Sequence, residues 1–314
     1  MVKAASIQSF GGPEVVEVGD AAAQEPQARE VLVGVEAASV NPLDLKIIAG
    51  HMKEFFPIEF PYAPGTDFSG IVQVVGAEVG NLKAGDRVVG RSTPDRGGAF
   101  AQSVTIHAAD LSIIPANMSL EQAAALPTAF GTARQALFET GRLRHGQKVL
   151  IHAGAGGVGS FAIQLARRAG AHVVATASAA NLELVMSLGA HEVIDYRSQS
   201  FAHLSGIDLI LDTVGGETLA KSWPVLRSGG RIATLIDFAI QPPGDKSGEF
   251  VFFRSATDSL SEAMEMFRAG RLQIVTDSIF SLDEVRAALE KVATRHARGK
   301  VIIRAKHSSQ KERY

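Results

Sequence analysis

The chain has 314 residues, 46% of them hydrophobic and 20% charged, with a formal net charge of −2 and no cysteine. These are the proportions of ordinary globular domains, and the length suits two of them. The near-zero charge gives no electrostatic basis for binding nucleic acid, and the absence of thiols excludes disulfides, thiolate zinc sites, iron–sulfur clusters and a cysteine nucleophile. Met1–Phe10 lacks the apolar core of a signal peptide, and no run of about 18 apolar residues is present to cross a membrane. The cytoplasm is therefore the expected compartment. The polar, mildly basic stretch from Lys306 to Arg313 reads as a frayed end rather than a binding arm.

Taken in chain order, the first third reads as β-rich. Val31–Val35, Ile71–Val75 and Val88–Val89 are short apolar runs bounded by Gly, Pro or Asp. Gly11–Gly12–Pro13, Asn41–Pro42, Gly85–Asp86 and Gly97–Gly98 supply turn chemistry, so a barrel or sandwich is expected. From Ser119 to Leu137 the spacing is helical. Strand and helix patterns then alternate: strand Lys148–His152, helix Ser160–Ala169, strand His172–Thr176, helix Leu182–Leu188, a strand ending at Ile194, and strands Asp208–Leu211 and Arg231–Leu235. Alternation at this pace predicts βαβ units on a parallel sheet. Gln241–Gly244 reads as an exposed loop. Helical patterns return at Leu260–Ala269 and Leu282–Lys291, and Val301–Ile303 is strand-like.

The strongest motif is Gly154–Ala155–Gly156–Gly157–Val158–Gly159. It follows an apolar strand and opens a helix, the context in which a G-x-G-x-x-G turn binds a dinucleotide. Glycines let the backbone approach a pyrophosphate, and the helix N-terminus offers free N–H groups and a positive dipole end. In NAD enzymes an acid about 20 residues on holds the ribose 2′-hydroxyl. No acidic residue occurs between Gly159 and Glu183, and Ala177–Ser178 stands where that acid would be. The sequence therefore favours NADP. Ser178 can donate to a 2′-phosphate, and Tyr196 and Arg197 follow the third strand of the alternating set. Arg197 reads equally as a solvated loop charge. Val214, Gly215 and Gly216 follow a further strand, either passing close to a ribose or simply turning the chain.

The chain resembles the medium-chain dehydrogenase/reductase superfamily, in its zinc-free quinone oxidoreductase (zeta-crystallin-like) branch. The resemblance runs nearly end to end, through Asn41–Lys46, Pro64–Gly70, Ala84–Val88, His152–Gly159, Leu188–Ala190, Ile194–Tyr196, Asp212–Gly216 and Arg298–Val301. It implies an α/β fold: a GroES-like β-barrel catalytic domain over 1–122, a doubly wound Rossmann domain over 123–258, and a segment over 259–314 that returns to the first domain. It implies that nicotinamide and substrate share an interdomain cleft. It also implies that zinc is absent. Relatives that use zinc carry Cys at the position of Asn41, a His–Glu pair near Thr66–Asp67 and another Cys near Thr128. None of these is kept apart from the acid Asp67, and the nine histidines form no H-E-x-x-H pattern.

A metal-free site suits a conjugated acceptor, because hydride added at the β-carbon gives a delocalised enolate that needs only placed donors. Asn41, with two amide N–H groups, reads either as that donor or as a cap before Pro42. Lys46 reads as a positive charge for the site or as a solvated one. Tyr62 reads as a proton donor to the α-carbon or, more in keeping with its type, as a packed barrel tyrosine. Asp44 reads as an organiser of its loop, and water as an alternative proton source. The resemblance implies that Thr132 lies near the nicotinamide ribose or phosphates, that Ile236 lines the cofactor, that Phe252 and Phe253 reach the nicotinamide, and that Lys300 approaches the cofactor. Phe252 and Phe253 fit core or a dimer interface as well. Asn181 departs from the pattern, since many relatives place a lysine there for the 2′-phosphate. The expected activity is NADPH-dependent reduction of quinones or small α,β-unsaturated carbonyls by a homodimer. The alternatives are enoyl reduction of a specialised metabolite and a low-turnover NADPH-binding structural or sensor protein. The substrate loops, 51–62 and 236–250, follow no decodable pattern, although Phe55, Phe56 and Phe60 imply an apolar mouth.

Overall fold

A computed structural model describes residues 1–22 and 24–305; the basic stretch at Lys306–Arg313 lies outside them. The chain forms two compact units, one made of Met1–Thr128 with the described residues from Ser255 onward, the other of Ala129–Arg254.

The first unit opens with β1 (Val2–Ser6) and β2 (Glu17–Ala21), an antiparallel pair of its own. β3 (Glu30–Val40), α1 (Pro42–Ile48), β4 (Asp67–Val75), β5 (Arg87–Arg91), β6 (Ser103–His107), β7 (Leu111–Ile113) and α2 (Leu120–Ala124) follow. The second unit takes up α3 (Pro127–Arg134) and continues through β8 (Lys148–Ile151), α4 (Gly157–Arg168), β9 (His172–Ala177), α5 (Leu182–Ser187), β10 (Glu192–Asp195), β11 (Ile207–Asp212), α6 (Gly216–Ser222), β12 (Leu226–Thr234) and β13 (Ser247–Phe250). The chain then returns to the first unit with α7 (Thr257–Arg268), β14 (Thr276–Ser281), α8 (Val285–Ala293) and β15 (Lys300–Arg304).

In the first unit the large sheet runs β14–β15–β3–β4–β5–β7, and β6 also pairs with β3. The long β3 shares one partner face between two strands: Glu30–Gly34 meets β6, and Ala37–Val40 meets β15. Its inward side chains, Val31, Val33 and Val35, pack with Phe68, Phe100, Ile106 and Ile303 in one core. Each such fully buried side chain contributes roughly 1.5–3 kcal/mol. In the second unit six strands run parallel in the order β10–β9–β8–β11–β12–β13. Leu150, Val174, Ile210 and Ile232 are buried in it, as the apolar runs predict.

The first unit runs on to Thr128; α2 packs on β3 and β4, and the Ser69 hydroxyl donates to Leu120 O at 2.6 Å. Two features depart from the sequence expectation. The run to Leu137 is not one helix. Pro127 has no N–H to continue α2, so α3 starts anew and passes into π-helical Gln135–Thr140. Asn41–Pro42 is not a reverse turn but the start of α1, with Asn41 as N-cap and Pro42 in the first turn.

Candidate active site

The strand–turn–helix of the second unit has the form the glycines predict. β8 ends beside β9, Gly154 N–H donates to Thr176 O at 2.8 Å, and Gly156 caps α4. Ala153 takes φ +52°, a left-handed conformation that costs a non-glycine residue about 1–2 kcal/mol. Gly159 is fixed by packing: a Cβ there would lie 2.3 Å from Ala153 O. Ala155, Gly157 and Val158 lie on this turn, and the first-turn N–H groups of α4 have no intrahelical acceptor. The residues fit a pyrophosphate.

Ser178, Tyr196 and Arg197 are brought together at the adjoining ends of β9 and β10, where Tyr196 N–H donates to Ala177 O at 3.1 Å. Ser178 Oγ accepts from Asn181 Nδ2 at 3.1 Å, which leaves its own proton to donate. Tyr196 is 48% exposed, and the Arg197 guanidinium lies 5.8 Å from its ring centre. Val214, Gly215 and Ile236 meet at the ends of β11 and β12. The buried Asp212 carboxylate accepts from the N–H groups of Val214 (3.1 Å) and Gly215 (2.9 Å) and from Thr234 Oγ1 (2.7 Å). Gly215 has φ +75°, and a Cβ on it would sit 2.5 Å from Ile236 Cγ2. Phe252 and Phe253 follow β13; Phe252 O accepts from Gln135 Nε2, and the Arg254 guanidinium lies near the Phe252 ring. Thr132 is buried in α3.

The first unit holds a buried charged cluster at the end of β3. Asp67 is fully buried at the start of β4 and accepts from Asn41 Nδ2 (3.0 Å), Thr128 N (3.0 Å), Thr128 Oγ1 (2.6 Å) and Ser39 Oγ (3.4 Å). The Arg91 guanidinium donates to Thr128 Oγ1 and lies 3.9 Å from Asp67. Lys300, 4% exposed at the start of β15, donates to Val40 O (3.0 Å) and Asn41 Oδ1 (2.5 Å). Asp44 accepts from Asn41 N–H at 2.7 Å, while its Oδ1 has no partner among the described residues. Burial pushes the Asp44 carboxyl up to about 7, reinforced by Asp67 and opposed by the Asn41 N–H, Lys300 and Arg91. Burial also pushes the Lys300 and Arg91 cations down, with the two acids pulling the other way.

These contacts correct several expectations. Asn41 directs its amide N–H groups inward, to Asp67 and, at 3.4 Å, to Ser39 O, so it organises the cluster instead of offering donors to an oxyanion. Tyr62 is buried in the barrel core and its hydroxyl donates to Pro94 O at 2.6 Å. Burial, then Asp44 and Asp95, pushes that phenol up, in keeping with a packed barrel tyrosine. Lys300 spends two of its three N–H donors on Val40 O and Asn41 Oδ1. Lys46 on α1 is half-buried, and burial with the nearby Arg295 lowers its ammonium. Arg91 and Thr128 carry the cluster yet had no local signal as members of it; only their contacts reveal them. At the expected apolar mouth, Phe55 and Phe60 are exposed, and Phe60 packs edge-on to Phe10 at 5.0 Å.

Two segments of the chain match known families. Residues 27–116 match the alcohol dehydrogenase GroES-like domain, and residues 188–303 match the zinc-binding dehydrogenase family. The chain belongs to the medium-chain dehydrogenase/reductase superfamily and, within it, to the quinone oxidoreductase branch. It is 32% identical to the chloroplast envelope quinone oxidoreductase homolog of Arabidopsis thaliana, over 96% of this chain and 98% of that one. It is 34% identical to the NADPH-dependent alkenal/one oxidoreductase of the same plant, over 96% and 79%. The structure of Escherichia coli quinone oxidoreductase complexed with NADPH superposes with a TM-score of 0.85 at 26% identity, over 96% and 99%.

Proposed function

We propose that the chain is an NADPH-dependent oxidoreductase that reduces quinones or small α,β-unsaturated carbonyls without a resident zinc ion. The observation that carries this is the turn from β8 into α4, with Ser178 in place of an acid after β9. Backbone N–H groups of Ala155, Gly157 and Val158 would hold the pyrophosphate, and Ser178, Tyr196 and Arg197 would receive the 2′-phosphate. Val214, Gly215 and Ile236 would border the ribose. NADPH supplies the hydride that reduces the acceptor carbon.

The similarity to an alkenal/one oxidoreductase and a quinone oxidoreductase supports the acceptor class. The zinc-free reading rests on the zero cysteines and on the Lys300 ammonium, a buried cation already lodged against Asn41 and under the influence of both acids. Among the described residues the Lys46 ammonium makes no hydrogen bond, so it remains the residue to face a developing oxyanion. Solvent supplies the proton that completes the reduction. The reading further takes the protein as a cytoplasmic homodimer that acts on small molecules, without membrane or nucleic-acid partners. Among the described residues no helix is long and apolar enough to cross a membrane.

A panel of quinones, enones and enoyl thioesters, assayed with NADPH and NADH before and after dialysis against a chelator, tests the proposal. Steady NADPH oxidation by quinones or enones that survives dialysis is expected. Turnover only with added zinc, or only with simple alcohols, would refute it.

A further inference from the structure

His152 directly follows β8 at the start of the phosphate turn, and it is completely buried. Its ring packs on Phe201 at 4.9 Å between centroids and makes two polar contacts: Nε2 with Ser222 Oγ at 2.9 Å, and Nδ1 with Thr176 Oγ1 at 3.3 Å. The proton positions follow from the neighbours. The Ser222 hydroxyl has one hydrogen, and it donates that to Thr218 O at 2.7 Å. Ser222 Oγ must therefore accept, so His152 carries its proton on Nε2. Nδ1 is then an acceptor, and the Thr176 hydroxyl donates to it. That orientation turns a lone pair of Thr176 Oγ1 toward the N–H of Ala153, which donates to it at 3.2 Å. Burial holds the imidazole neutral, as this chain of donors requires, by lowering it to about 4.

The result is one directed series of hydrogen bonds: Ala153 N–H to Thr176, Thr176 to His152, His152 to Ser222, and Ser222 to Thr218. One end is the residue held at φ +52° at the root of the glycine turn. The other end lies in α6, the helix that begins directly after Val214 and Gly215. We propose that His152 is a positioning residue for dinucleotide binding: it sets the Thr176 hydroxyl on Ala153 N–H, holds the glycine turn in its binding conformation, and ties that turn to α6. This rests on the NADPH reading above. The backbone supports the same tie, since the Thr213 hydroxyl donates to His152 O at 3.0 Å and His152 N–H donates to Leu211 O at 3.0 Å.

Thr176→Val keeps the shape and removes the hydroxyl, and Thr176→Ser restores it. Fluorescence titration with NADPH and steady-state kinetics on the full chain separate positioning from general damage. Thr176→Val is expected to raise Kd and KM for NADPH about five- to tenfold, the scale of one lost hydrogen bond, with kcat changing less than twofold. Thr176→Ser should recover most of the affinity. If Thr176→Val does not fold by circular dichroism, Ser222→Ala gives the second reading, with about a threefold rise in Kd, because it frees the far end of the imidazole. A folded Thr176→Val or Ser222→Ala variant that binds NADPH as the parent does, or loses kcat at constant KM, overturns the proposal. Failure of the parent chain to bind NADPH would instead sink the cofactor reading on which it stands.

Discussion

At the end of β3, Asp44, Asp67, Arg91 and Lys300 take four ionisable groups out of water around Asn41. Beside the glycine turn, the buried set of His152, Thr176 and Ser222 is neutral, and the one buried acid nearby, Asp212, is met by two backbone N–H groups and a hydroxyl. The first centre is assembled from residues up to 259 positions apart, because each charge needs a partner and partners come from different strands. The second grows from one strand, one turn and its neighbours. Removing one partner from the charged centre leaves an uncompensated buried charge, whereas removing one from the neutral centre leaves an unpaired dipole, a smaller loss.

The sharpest way to break this contrast is Lys300→Met. It leaves Asp44 and Asp67 buried without their nearest ammonium, and a loss of about 3–5 kcal/mol in urea unfolding is expected. A loss below 1 kcal/mol would mean that the cation is not holding the acids. In the second unit, Ser178→Asp should leave folding intact and act on the ligand. It places a carboxylate where the 2′-phosphate is expected, so NADPH affinity should fall about tenfold and NADH affinity little. Equal losses for both cofactors would remove Ser178 from that role.

The smallest effect is in pH dependence, where the two centres oppose each other. Folding raises Asp44 from 3.8 to about 7, so its contribution is complete below pH 3.8 and lost as pH rises toward 7. Folding lowers His152 from 6.5 to about 4, so its contribution is complete above pH 6.5 and lost as pH falls toward 4. Asp44→Asn imitates the protonated acid. Its stability relative to the parent should therefore climb between pH 4 and 7, by at most about 1.4 kcal/mol per pH unit. A difference that stays flat over that range would show that Asp44 is not held protonated.

The neutral centre was also the more legible in sequence. Gly154–Gly159 follows an apolar strand, and both the turn and the missing acid at Ser178 are local facts. The parallel sheet could be read for the same reason, since buried strands are short apolar runs between helices. β13 and β14 were not read, because Ser247–Phe250 and Thr276–Ser281 carry few apolar residues and are recognised only by their partners. The charged centre was half visible. Asn41, Asp44 and Asp67 stood out through the family resemblance, but nothing near Arg91 or Lys300 in sequence says that its charge is buried. For Asn41 and Tyr62 the sequence leaves two roles open each, because the acceptors that occupy their donors, Asp67 and Pro94 O, lie 26 and 32 residues away.

The pairing of β15 with β3 also sets an order of events during synthesis. Residues 129–254 leave the ribosome as a continuous stretch and can fold as one piece, whereas the first unit must wait for its last strand. Until Lys300–Arg304 emerges, Ala37–Val40 keeps an open hydrogen-bonding edge and the two acids lack their ammonium. A nascent chain stopped short of Lys300 would therefore combine a finished nucleotide-binding unit with an unfinished barrel, exposing the strand edge that chaperones and aggregation compete for.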